Sequence, residues 1–254
     1  MKVQDIYHFL AEKAPVENAM DFDNVGLLVG HREQDVTRVL TALDITDEVI
    51  QEALDIKAEL IVSHHPLFFQ LKSVSDASWP SERVLRLAEN KISAICMHTN
   101  LDIAEGGVND ALIRALGAEP LGALDAHSGL GRVGKLPEAV SMEKFLCRVK
   151  SALKTNGLRY YDAGRPVQNI AVCGGSGGSE TALASDSGCD TYVTADIKYD
   201  QFLEAKHLGL NLIDADHFCT ENVVIPVLQT WLKEKFPNLD VKISESHGQT
   251  AQFF

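Results

Sequence analysis

No C-x-x-C pair occurs anywhere in the chain, and its five cysteines (Cys96, Cys147, Cys173, Cys189, Cys219) are scattered and odd in number. That pattern argues against a disulfide framework or a zinc ribbon and fits the reduced thiols of a cytoplasmic protein. No apolar run approaches the roughly 18 residues of a membrane-crossing helix. The first twenty residues, MKVQDIYHFLAEKAPVENAM, lack the apolar core of a signal peptide. Positive charge is scarce: 23 Lys and Arg face 36 Asp and Glu, a formal net charge of −13. Such a chain is repelled by duplex nucleic acid, although bound dications would create a small electropositive cleft. The G-x-S-x-G nucleophile elbow is missing. So is the Lys-Ser/Thr of a P-loop, which leaves Gly174–Gly178 (GGSGG) as either a tight turn or a bare phosphate cradle.

What is present is an ordinary globular balance, 45% apolar and 23% charged residues. Apolar runs of strand length alternate with helix-spaced segments. VLTALDI (39–45), LIVS (60–63) and ISAICM (92–97) read as strands, with helices over 47–58, about 81–90 and 108–116. After a less regular middle, which includes a Gly-punctuated turn and strand over 129–136 and an amphipathic helix over 141–153, the rhythm restarts. Strands are expected at 170–173, 191–194 and 210–214, with helices at 180–187, 201–208 and 221–236. The repeated order predicts an α/β fold of two similar α/β lobes, residues 1–125 and 126–254, each with a largely parallel sheet.

Parallel sheets bind ligands beyond the carboxyl ends of their strands. LIVS is followed by His64-His65-Pro66, ISAICM by His98-Thr99-Asn100-Leu101-Asp102, and LNLID by Ala215-Asp216-His217-Phe218-Cys219-Thr220-Glu221. The pairs His98/Asp102 and His217/Glu221 each have a separation of four, which puts both side chains on one face where the loop turns helical. A lone histidine after a strand is ordinarily a structural hydrogen-bonding residue. Three histidine-bearing strand ends, two with a carboxylate at the same spacing, point instead to a metal site. Imidazole with carboxylate suits zinc, iron, manganese, nickel or cobalt, whereas calcium takes oxygen ligands. Adjacent His64 and His65 point apart in an extended segment, so they suit two neighbouring ions with a carboxylate between. Asp196 reads as either a brace for a ligand imidazole or a helix cap, and Cys219 as a soft-metal donor held in reserve. His8, His31, His127, His207 and His247 are assigned to surface or packing.

DNVGLLVG, SHHPLFF, HTNLD, GLGRVG, the GGSG turn, YVTADIKY and DADHFCTE occur in an order that resembles the NGG-one-interacting factor three-like family, whose members are also labelled GTP cyclohydrolase 1 type 2 homologues. The likeness runs over essentially the whole chain and is to the short bacterial form. It implies a metal pair in the cleft between the lobes and a homohexamer shaped as a toroid. By matching position, it implies that His64 and Asp102 bind one ion and His65 and His217 the other, with Glu221 bridging and His98 beside them. Asp216, Cys219 and Asp200 stand where the family more often has Gly, a small residue and His.

The function expected is a metal-dependent hydrolase of a small phosphorylated or nucleotide-like substrate, with Glu221 and His98 as its catalytic groups. GTP cyclohydrolase action is one version, although no guanine-recognising constellation is legible. The alternative is a non-enzymatic metal-binding scaffold that docks partners through its ring. No membrane is expected as a partner, and nucleic acid fits poorly with the charge.

Overall fold

The computed structural model describes residues 1–253 as a mixed α/β protein with two sheets. The chain opens with α1 (Val3–Lys13), which buries Val3, Ile6, Phe9 and Leu10 at helical spacing. There follow β1 (Gly26–Val29), β2 (Arg38–Ala42), α2 (Asp47–Asp55), β3 (Leu60–Ser63), α3 (Trp79–Glu89), β4 (Ser93–Cys96) and the one-turn helix α4 (Thr99–Ile103). Thr46 caps α2 by accepting from the Val49 amide. Next come α5 (Val108–Ala115), β5 (Glu119–Gly122), β6 (Arg132–Val140), α6 (Met142–Leu153), β7 (Arg159–Tyr161), β8 (Val167–Val172), α7 (Thr181–Asp186), β9 (Thr191–Thr194), α8 (Tyr199–Leu208), β10 (Asn211–Asp214) and α9 (His217–Glu221). α10 (Ile225–Lys235) and β11 (Asp240–Ile243) complete the order.

Two compact units divide the chain. The first contains Met1–Glu105 and Ile225–Gly248; the second contains Gly106–Val224 and the residues from Gln249 onward. In the first unit the sheet order is β1-β4-β3-β2-β11, parallel throughout except for the antiparallel edge strand β1. Its central strands β3 and β4 are buried at every position, as expected of parallel strands covered on both faces.

The second unit repeats the plan. β8-β9-β10 are parallel, and antiparallel β7 lies beside β10 as β1 lies beside β4. Here the expectation of a largely parallel sheet is corrected. β6 pairs antiparallel with β8, and β5 antiparallel with β6, so the six-stranded sheet has three antiparallel neighbours and two parallel ones. The irregular middle of the sequence supplies these strands. Its Gly-rich turns reverse the chain tightly, and hairpin-type pairing needs no crossover helix. α6 covers this region through Met142, Phe145, Val149 and Leu153, the face that its spacing predicts.

The expected helix over 221–236 starts later, at Ile225. α9 ends at Glu221, a 3-10 turn spans Asn222–Val224, and α10 starts at Ile225 with Pro226 in its first turn. Among the described residues no helix is long and apolar enough to cross a membrane.

Candidate metal centre

In the first unit β2, β3 and β4 end in register, with Ala42 opposite Ser63 and Ser63 opposite Cys96. Two residues beyond those ends lie Asp44, His65 and His98, at one edge of the sheet. One ligand-capable atom from each of His64, His65 and His98 lies within 4.8 Å of the others. The rings of His64 and His65 are 5.1 Å apart between centroids, and those of His64 and His98 5.2 Å. His64 is fully buried, and its Nε2 faces Oδ1 of Asp102 at 3.6 Å.

Each imidazole is held through its other nitrogen. His64 Nδ1 lies 2.9 Å from the Met97 carbonyl oxygen. A carbonyl only accepts, so Nδ1–H donates and Nε2 carries the lone pair. His65 Nδ1 lies 2.7 Å from Asp44 Oδ1, and His98 Nδ1 2.9 Å from Asp23 Oδ1. Asp23 also accepts from the amide and the hydroxyl of Thr99. Burial alone would raise the pKa of Asp23, but the bonds from His98 and Thr99 outweigh it and hold the carboxyl well below the usual carboxylate range. Asp23 is therefore an anion wherever the protein is folded at neutral pH.

In the second unit His217 and Glu221 sit on α9, with His217 Nε2 3.1 Å from Glu221 Oε2. His217 Nδ1 lies 2.7 Å from Oδ2 of Asp196, two residues beyond the end of β9. Asp196 is thus the brace that one of its two sequence readings proposed. The Gly174–Gly178 run packs against this pair. A Cβ on Gly175, whose φ is +66°, would collide with Oε1 of Glu221 and stand 3.1 Å from Nε2 of His217. The amides of Gly174, Gly175 and Gly177 donate to Asn109, Thr220 and Thr194 side chains. Three of the five amides in the run are thus used internally, as in a tight turn.

Two refinements concern α9. The His98/Asp102 and His217/Glu221 pairs are one position out of step, because His98 is the cap residue before α4 whereas His217 is the first residue of α9. The equivalent cap of α9 is Asp216, at φ +73°, a backbone region where glycine is the ordinary occupant. Asp216 offsets that strain by accepting from the Cys219 amide. Cys219 itself faces the second unit's core, where burial foremost and the Asp216 carboxylate next push its thiol up to about 12. Cys219 belongs to none of the candidate metal-binding groups found among the described residues. Asp200 is an exposed residue in the first turn of α8, favourable for the helix dipole. Asp23 and Asp44 escaped the sequence reading. The expected strand over 39–45 ran through Asp44; only the observed end of β2 at Ala42 shows that Asp44 follows its strand by the same two residues as His65 and His98.

Strand-end histidines, carboxylates opposite their Nε2 atoms and oxygen acceptors on their Nδ1 atoms define a mixed α/β protein with candidate metal-binding clusters. The family pattern for Duf34/NIF3 (NGG1p interacting factor 3) matches residues 1–251, and the chain belongs to that family. A Clostridium perfringens protein named GTP cyclohydrolase 1 type 2 homolog is 36% identical over 242 residues, 92% of each chain. A Lactococcus lactis protein of the same name is 34% identical over 100% of this chain and 99% of its own. The crystal structure of a Staphylococcus aureus hypothetical protein superposes with a TM-score of 0.91 at 30% identity, covering 100% of this chain and 99% of that one.

Proposed function

We propose that these histidines and carboxylates serve a pair of divalent transition-metal ions, and that the chain is a hydrolase of a small phosphorylated or nucleotide-like molecule. His64 and Asp102 would hold one ion and His65 and His217 the other, with Glu221 between. The observation that carries this reading is the orientation of the imidazoles. An oxygen acceptor on Nδ1 of His64, His65, His98 and His217 directs each proton there and leaves Nε2 as the donor atom. The Nε2 atoms of His64 and His217 face carboxylate oxygens at 3.6 and 3.1 Å, so that an imidazole nitrogen and a carboxylate oxygen converge at each place. The donor set of imidazole nitrogen and carboxylate oxygen fits zinc, iron, manganese, nickel and cobalt alike.

When bound, such ions supply an activated water near neutral pH and stabilise charge on a phosphoryl or carbonyl oxygen. The chain's own groups divide the remaining work. Asp44 and Asp196 fix the aim of His65 and His217. His98, which the resemblance leaves out of the ligand set, has its Nδ1 proton held by anionic Asp23, so its Nε2 is the atom that takes up or returns a proton. The GTP cyclohydrolase name of the relatives is one version of this chemistry, directed at a purine ring carbon.

The test is to load metal-free protein with each of the five metals and assay phosphate release from phosphomonoesters and nucleotides and ring opening of GTP. Turnover that a chelator abolishes and one metal restores supports the hydrolase. Metal-loaded protein inert towards every class overturns it. The family description, an interacting factor, favours one other reading, a metal-binding ring that docks partners without turnover. Either reading carries the proposal of a homohexameric toroid, which sedimentation velocity tests directly.

A further inference from the structure

Beside the first unit's histidine cluster lie two large aromatic side chains that the fold leaves in solvent. Phe22 is 63% exposed and Phe69 52% exposed. They belong to separate loops, before β1 and after β3, yet their ring centroids are 6.2 Å apart with planes inclined at 49°. Phe69 in turn meets the ring of His98 edge-on, at 5.9 Å and 63°. His98 continues the series to His65 at 5.6 Å and to His64 at 5.2 Å. An unbroken run of rings therefore leads from solvent at Phe22 to the buried imidazole of His64.

The pair is mounted on the frame that orients the histidines. Asp23, next to Phe22, binds His98 Nδ1 and both the amide and the hydroxyl of Thr99, and the Met20 amide donates to Thr99 Oγ1. Asn24 donates through Nδ2 to the carbonyl of Phe68, at 2.7 Å, which ties the loop of Phe69 to the loop of Phe22. Large exposed apolar side chains grouped together mark contact sites. Here their place is set by hydrogen bonds to the candidate centre, and that continuity names the occupant.

We propose that Phe22 and Phe69 form a stacking subsite for the flat aromatic ring of a nucleobase-bearing small molecule whose reacting end lies at the histidine cluster. The inference rests on the small-molecule reading given above and deepens it by assigning the ring end of the substrate. Phenyl faces stack any base without reading its hydrogen-bonding edge, so the subsite demands a flat ring but does not choose among bases. That agrees with a sequence in which no guanine-recognising constellation is legible.

The test uses the full-length, metal-loaded protein, titrated calorimetrically with AMP, GMP, UMP and ribose 5-phosphate. The wild type is expected to bind at least one nucleotide about tenfold or more tightly than the ringless sugar phosphate. In the Phe22→Ala/Phe69→Ala variant that preference should fall to within about twofold, with metal per chain unchanged; Phe22→Leu/Phe69→Leu, which keeps apolar area but no flat face, should behave like the alanine pair. A wild type that binds ribose 5-phosphate as well as every nucleotide overturns the proposal, and so does a preference that survives both pairs of substitutions. An alanine pair that lowers the sedimentation coefficient and leaves the preference intact makes this face an interface between copies, which also overturns it. The two readings fail separately. A wild type that takes up metal but shows no ring preference sinks the subsite alone, whereas a wild type that shows the ring preference but takes up no metal sinks the metal centre alone.

Discussion

Nδ1 of His65 lies 2.7 Å from Oδ1 of Asp44, so the residue two positions beyond β2 orients the residue two positions beyond the adjacent β3. The second unit uses the same device between Asp196, two beyond β9, and His217 on the helix after β10. Carboxylates that brace an imidazole in this way ordinarily change metal affinity about 10- to 100-fold when removed. Asp44→Asn and Asp196→Asn should therefore each weaken metal binding by about that factor while melting temperature of the metal-free protein moves little. A metal titration with a competing chelator measures it, and unchanged affinity in both variants would assign the two aspartates to local structure only.

Gly175 sets the tolerance of the second unit's His217–Glu221 cluster. A methyl group there needs the space of Glu221 Oε1, in a backbone conformation that disfavours any side chain. Gly175→Ala should lower metal content sharply. It should also destabilise the second unit by about 2 kcal/mol or more, as overpacking and strain combine. Gly164→Ala is the comparison. It shares a positive φ but has nothing near its Cβ, so it should lose some stability and no metal.

Acid should loosen the segment that follows β11. Glu52 accepts from Ser244 Oγ and from the amides of Glu245 and Ser246. Burial alone would raise its pKa, but those bonds prevail and lower it from 4.5. His247, whose Nδ1 accepts from the Leu43 amide, is lowered from 6.5, chiefly by burial. Both groups have folded pKa values below their unfolded ones. Their contributions are complete above the unfolded pKa and fade as pH falls, His247 beginning near 6.5 and Glu52 near 4.5. Denaturant unfolding across pH 7 to 4 should show the decline. His247→Asn, which offers an acceptor without a titrating group, should flatten its upper part and Glu52→Gln its lower part; unaltered profiles would rule the assignments out.

Lys57 and Lys91 follow α2 and α3 with φ of 57° and 56°, where glycine is the ordinary helix terminator. Relief of a left-handed side-chain clash is worth about 1 kcal/mol, against a few tenths lost from an exposed charge near a helix C-terminus. Lys57→Gly and Lys91→Gly should each raise the melting temperature by a few degrees, read by calorimetry. A fall in both would show that the lysine side chains contribute more than their backbone costs.

Much of the candidate site was legible because histidines and carboxylates that could ligate a metal stand directly after apolar strand-length runs. The runs LIVS and ISAICM fixed where His64, His65 and His98 would emerge, and the i, i+4 spacing placed His217 and Glu221 on one helix face. The braces were less visible. An aspartate after a strand is common in turns, and only the in-register ends of β2, β3 and β4 reveal that Asp44 stands level with His65. Strand β5 was hidden because Gly and Pro interrupt its alternation (Glu119-Pro-Leu-Gly), whereas the Gly-punctuated turn and strand legible over 129–136 is the start of β6, whose antiparallel pairing the pattern does not reveal. β11 was hidden by its brevity. Asp-Val-Lys-Ile carries too little apolar signal, and its pairing with β2 is made across about two hundred residues of sequence.

The central proposal is a pair of metal ions bound by the chain, and counting ions tests it most directly. Elemental analysis of protein purified without added metal, then resupplied with it, should find about two ions per chain. Glu221→Ala should fall sharply below that value in the same preparation. One ion or fewer in the wild type, or a count that Glu221→Ala leaves unchanged, would contradict the account and return these histidines to a structural role.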